Sequence, residues 1–184
     1  MKIFFLRPAV LIFLTAMFVF PSVCVGAESL YLRFKNYPVV SVLVSDPVNQ
    51  SQNEKVKAAG LKQAIEKAFL ERKSTRFQIA SASENADILI ETAVTEYYWT
   101  NHDPVDMLVG IGATAMDAAV VENYARLQAD MIVKDAKKGS VLWRDRLMAT
   151  ITGGKLTEEN APDLINEDLG KVFVRTCFGK KKAG

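Results

Sequence analysis

Two neighbouring stretches constrain this chain more than any other part of it. Tyr124–Lys134 carries Ala125, Leu127, Ala129, Met131 and Val133 at every second position, and Val141–Ile151 places Val141, Trp143, Leu147, Ala149 and Ile151 on one face. Successive side chains of a strand point to opposite faces, so each stretch reads as a strand with one buried face. Asp135-Ala136-Lys137-Lys138-Gly139 between them suits a tight reversal with glycine near its end. The expected product is an antiparallel hairpin, and its apolar face must be covered by another layer.

The rest of the chain supplies that layer and more strands. Val39–Val44 is a continuous apolar and β-branched run after Pro38, as in a strand covered on both faces, and Asp46-Pro47 ends it. Leu30, Leu32 and Phe34 alternate with other residues and suggest an opening strand or arm. Phe77–Ile79 reads as a short strand. Asp87–Trp99 reads as a long one, with Ile88, Ile90, Thr92, Val94 and Tyr98 on one face and Asp87, Glu91 and Thr95 opposite. Ser51-Gln52-Asn53-Glu54 fits a capping box, which predicts a helix from there to about Arg72 with Leu61, Ala64, Ile65, Ala68 and Phe69 as its apolar stripe. A last helix is expected over Pro162–Phe178, with Ile165, Leu169, Val172, Phe173 and Thr176 on one side. The order strand, helix, strands, hairpin, helix predicts an α+β two-layer sandwich. In it a four- or five-stranded, mostly antiparallel sheet carries two helices on one face.

The first 27 residues read as a secretory signal peptide. Lys2 and Arg7 form a positive start, Ala9–Phe20 is an uncharged apolar run, and Val25-Gly26-Ala27 puts short residues before a cleavage between Ala27 and Glu28. The apolar run falls short of the ~20 residues of a spanning helix. The expected organisation is therefore a signal peptide at 1–27, one α+β domain at 28–178 and a basic tail at 179–184, in a periplasmic or outer-membrane-associated protein. Cys24 has a second reading as the acylated first residue of a lipoprotein, although Pro21-Ser22-Val23 precedes it where Leu at −3 and Gly or Ala at −1 are usual.

Lys2 and Arg7 are the leader's only charges, so residues 28–184 hold equal numbers of basic and acidic side chains. That balance gives no reason to expect nucleic acid, whose binders carry basic patches. Lys171, Arg175, Lys180, Lys181 and Lys182 nevertheless crowd one end of the sequence, which leaves peripheral membrane association open.

Reactive constellations are scarce. His102 is the only histidine, in His102-Asp103-Pro104-Val105-Asp106, whereas a zinc site needs three or four ligands with His or Cys prominent. No G-x-S-x-G elbow occurs, and Gly110-Ile111-Gly112-Ala113-Thr114-Ala115 lacks the opening βαβ context of a dinucleotide site. Cys177, late on the last helix, is expected to be buried and inert. Glu158-Glu159 and Glu167-Asp168 fit helix-start and surface positions. No catalytic residue, metal or cofactor is expected.

Two features are candidates for binding a partner. One is the aromatic triplet Tyr97, Tyr98 and Trp99. The other is Met107–Val121, apolar or small apart from Thr114 and Asp117, of which Met107, Leu108 and Ile111 are the bulkiest early side chains. Either completes the core or forms an exposed apolar surface for a protein or lipid.

The stretches Val42-Leu43-Val44-Ser45-Asp46-Pro47, Phe77-Gln78-Ile79-Ala80-Ser81, Asn85-Ala86-Asp87-Ile88-Leu89-Ile90 and Asp135 through Gly139-Ser140-Val141-Leu142-Trp143 together resemble small bacterial envelope lipoproteins. These include the lipopolysaccharide-assembly lipoprotein, the curli-secretion lipoprotein and the activator lipoproteins of peptidoglycan synthases. The resemblance spans most of residues 38–178 and implies a non-enzymatic accessory domain that binds envelope partners. It carries over no site residue. Three functions follow for testing: an envelope assembly or transport factor, a carrier of lipid or a small ligand with Met107–Val121 walling a cavity, and a hydrolase with converging carboxylates. Oligomeric state is not specified by the sequence.

Overall fold

The hairpin forms as its alternation requires. In a computed structural model, which describes residues 29–72, 76–101 and 123–179, β5 (Tyr124–Asp135) and β6 (Val141–Thr152) pair antiparallel. The predicted leader with Cys24, Ala27 and Glu28, the candidate His102, the segment Met107–Val121 and the residues from 180 onward lie outside the described residues.

Four further strands join them. β1 (Val40–Val44) lies between β3 (Phe77–Ile79) and β4 (Ile88–Thr100), parallel to both, and β4 pairs antiparallel with β5. The order is β3-β1-β4-β5-β6, with a two-residue β2 (Val48–Asn49) pairing parallel to β4 off this path. The sheet thus has six strands where four or five were expected, and it is mixed. Two long antiparallel ladders carry most of its length and three short parallel ones complete it. Parallel pairing follows from the crossover: the chain leaves β1, runs through a helix and returns in the same direction at β3.

Two helices cover one face, as predicted. α2 (Ala58–Leu70) buries Leu61, Ala64, Ile65, Ala68 and Phe69, the stripe its spacing predicts. α3 (Ala161–Phe178) buries Ile165, Leu169 and Phe173 as expected, and also Val174, Cys177 and Phe178, while Thr176 faces solvent. The two helices run side by side in close contact. A Cβ on Gly170 would stand 2.8 Å from the Ala64 carbonyl oxygen, so only glycine lets the backbones approach this far. Phe69, Phe77 and Phe178 pack ring edge to ring face between the helices and the sheet at centroid distances of 4.9 to 5.4 Å.

Local chemistry overrides the pattern in two places. Leu30, Leu32 and Phe34 do not form a strand. α1 (Tyr31–Phe34) is a single helical turn that brings Leu30 and Phe34, four residues apart, into the core and leaves Leu32 in solvent. The capping box at Ser51–Glu54 does not start α2 either. Asn49 Oδ1 accepts from the Ser51 amide and hydroxyl, Asn53 Oδ1 accepts from the Lys55 amide, and the Gln50 amide donates to the Val94 carbonyl. Short polar side chains bonding their own backbone hold this stretch as turns, so the helix begins at Ala58.

Candidate functional site

A sheet with helices on one face presents its other face to whatever lies outside. Among the described residues no helix packs on that second face. Its side chains come from alternate positions of β4, β5 and β6, and two irregularities decide which alternate positions those are.

The first is a bulge in β4. Ile88, Ile90, Thr92 and Val94 point to the helices, but the register against β5 shifts between Val94 and Glu96. One extra residue, Thr95, whose hydroxyl donates to the Gln128 carbonyl, flips every later side chain to the other face. Tyr97 is therefore buried at 7% exposure beneath the helices, Trp99 packs against the same core, and Tyr98 stands on the open face at 38%. This corrects the expectation that Tyr98 shares a face with Ile88 and Val94. It also splits the aromatic triplet, of which only Tyr98 belongs to an exposed surface. Burial raises the Tyr97 phenol above its ordinary titration range. The second irregularity lies between Val133 and Lys134, where Val141 pairs with Lys134 and turns outward to 56% exposure instead of lining the core with Trp143.

The open face is built from cross-strand pairs. Tyr98 meets Tyr124 edge to face, with centroids 6.2 Å apart. Arg126, opposite Tyr98, donates to the Glu96 carboxylate, a contact that raises the guanidinium's already high pKa. Gln128 stands opposite Met148, which is exposed. Beyond them Arg146 grips Asp130 with two hydrogen bonds of 2.6 and 3.0 Å, and Lys134 holds Glu91 at 2.7 Å. The hydrogen bond from Arg146 keeps the Asp130 carboxyl below the usual carboxylate range against an opposing desolvation effect. Most of these cations and anions neutralise one another, so the surface offers shape, two tyrosine rings and a methionine more than net charge. Sequence reasoning missed Tyr124, Arg126 and Met148. The alternating charges at Glu96, Arg126, Asp130 and Arg146 were the available signal, but they converge only once the register is known.

Other candidates prove structural. Cys177 is buried, and desolvation pushes its thiol far above the ordinary range. Glu158 pairs with Lys55, and Glu167 lies 2.8 Å from Lys67 and 3.9 Å from Lys171, so these carboxylates are partners of surface lysines. Among the described residues no three His, Cys, Asp or Glu side chains gather to hold a metal ion, and no helix is long and apolar enough to cross a membrane. A depression of about 320 Å³ lies where the end of β6 meets α3, lined by Thr152, Lys155, Leu164 and Lys171 among others, and it opens to solvent. Met107, Leu108 and Ile111, the other partner-binding candidates, lie outside the described residues.

No protein-family model and no curated protein matches the sequence. Solved structures do. A DUF330 protein from Xanthomonas campestris is 9% identical, with 77% of this chain and 86% of that one covered at a TM-score of 0.50. The PelC dodecamer from Paraburkholderia phytofirmans is 14% identical over 71% of this chain and 86% of that one, at a TM-score of 0.45. Lipoprotein GNA1162 from Neisseria meningitidis is 14% identical over 73% and 98%, at 0.41. At such identities the likeness is one of fold alone. It does not single out the lipopolysaccharide-assembly, curli-secretion or synthase-activator types that the sequence resembles.

Proposed function

We propose that this protein is a non-enzymatic accessory factor of the bacterial cell envelope, periplasmic or associated with the outer membrane, that acts in assembly or transport by docking an envelope protein on its open sheet face. The observation that carries this reading is the face itself: a surface that no described helix covers, with Tyr98, Tyr124 and Met148 among mutually neutralised charges. Tyrosine and methionine are enriched where proteins meet, because they bring large contact area at small desolvation cost, and paired charges at the margin set orientation. The signal-peptide reading of residues 1–27 supports the compartment, and the bacterial lipoproteins among the structures of similar fold agree with it.

The test is photo-crosslinking in living cells, with a benzophenone amino acid placed at Tyr98 or Met148 and, as a control, at Glu66 on the helix layer. Discrete adducts with one envelope protein from the two sheet positions, absent from the control, are the expected result. Sheet positions that yield no adduct, or the same smear as Glu66, would end the docking reading. Intact-mass measurement of the protein recovered from the envelope checks the compartment separately, by telling cleavage after Ala27 from acylation at Cys24.

A further inference from the structure

One end of the sandwich differs from the rest of the surface. α2 and α3 run parallel, so both finish there, beside the starts of β1 and β3 and against α1. Ser29 and Leu30 are tied to the end of α3: the Leu30 amide donates to the Cys177 carbonyl at 2.8 Å, and the Ser29 hydroxyl lies within reach of the Cys177 and Gly179 carbonyls. Arg72 donates to the Val174 and Phe178 carbonyls. Three carbonyls in the last turn and a half of α3, those of Val174, Cys177 and Phe178, are thereby occupied.

Four of the large apolar side chains exposed among the described residues gather at this end: Leu32 at 61%, Leu70 at 60%, Tyr37 and Val39. Exposed cations surround them, namely Arg33, Lys35, Arg76, Lys137, Lys138 and Arg175. Of the nearby acids, Glu71 next to Leu70 is exposed, and the other two are engaged internally. Asp135 accepts from the Lys137 and Lys138 amides and lies 3.8 Å from Arg33, and Asp87 accepts from the Ser41 amide. In a domain whose basic and acidic residues balance overall, cations are in local excess around these exposed apolar side chains. The polypeptide also enters and leaves here: the apolar run Ala9–Phe20 lies a short stretch before Ser29, and Lys180, Lys181 and Lys182 follow Gly179 directly.

We infer that this end of the domain seats on an anionic phospholipid bilayer, with Leu32, Tyr37, Val39 and Leu70 at the headgroup boundary and the surrounding Arg and Lys side chains on lipid phosphates. Apolar residues that enter the interface, ringed by cations attracted to anionic lipid, are the two components of peripheral membrane binding. The open sheet face then stands roughly perpendicular to the membrane, free for a protein partner. The inference is independent of that partner, since it concerns a different surface and a different class of ligand.

The test uses the full chain carrying Cys24→Ser, so that with Cys177 buried the only reactive thiol is one introduced at Leu32→Cys, Leu70→Cys, Arg144→Cys or Lys155→Cys. Each is labelled with a polarity-sensitive fluorophore and mixed with vesicles of phosphatidylcholine alone or with phosphatidylglycerol. Labels at Leu32 and Leu70 are expected to shift to the blue and to be quenched by brominated lipid on anionic vesicles, while those at Arg144 and Lys155 stay in water. Reversing Arg33, Arg76 and Arg175 to Glu together should lower occupancy of the anionic-vesicle state by about tenfold or more, and added salt should act in the same direction. Because the labels report which face touches lipid, the result holds whether or not the leader also inserts. Labels at Leu32 and Leu70 that remain aqueous on bound vesicles, all four sites shifting alike, or no binding to anionic vesicles would each overturn the inference.

Discussion

The two faces of this sheet are made from the same strands, often from adjacent residues, yet they are held by different physics. On the helix side Val42, Ile90, Leu127 and Met131 are fully buried under Leu61, Ile65, Leu169 and Phe173. On the open side Glu91, Glu96, Arg126, Asp130, Lys134 and Arg146 pair across strands in partial contact with water. Apolar burial scales with area and makes the first face the source of stability, whereas exposed ion pairs contribute little. The open face is therefore free to vary in chemistry without endangering the fold. That is the property a docking surface needs.

Substitutions can break or sharpen this contrast. The largest effect is expected from Phe173→Ala, which removes a ring packed on Phe69 and Trp143 and should cost about 3–5 kcal/mol in denaturant unfolding. Gly170→Ala comes next. The new methyl group would meet the Ala64 backbone and force α2 and α3 apart, at about 1–3 kcal/mol on the same assay.

The open face responds to pH instead. Asp130 titrates below the ordinary carboxylate range in the folded protein, so its contribution to stability is present above the unfolded carboxylate's pKa and fades as pH falls through the depressed one. In Arg146→Gln the Asp130 pKa should rise toward its ordinary value, read by NMR titration of the side-chain carboxyl. The smallest effect belongs to Tyr98→Ala, expected to change stability by about 0.5 kcal/mol or less while abolishing the crosslink to the partner. If Tyr98→Ala destabilised the fold as much as Phe173→Ala, the two faces would not differ as described.

Much of this was legible beforehand. The stripe on α2, the hairpin of β5 and β6 and the interior of β4 up to Val94 follow from periods of 3.6 and 2 that only one environment satisfies. Burial of Cys177 was also expected, and the reason is visible in its position on the α3 face that meets the core. The candidate site was less legible. Tyr97, Tyr98 and Trp99 are three consecutive aromatics, and their chemistry does not say which will be core and which surface. A single bulge residue decides it.

What the amino-acid order determined by itself was the set of elements and the apolar faces that must find one another, because burying those faces is favourable in any arrangement that joins them. The tertiary structure decided the phase. Whether Thr95 is accommodated as an extra residue, whether Val141 turns outward and whether Ser51 caps a helix or bends a loop each depend on small local energies. Pairing with β5, pairing with Lys134 and the Gln50–Val94 hydrogen bond tip those balances, and none of these contacts exists until the chain has folded.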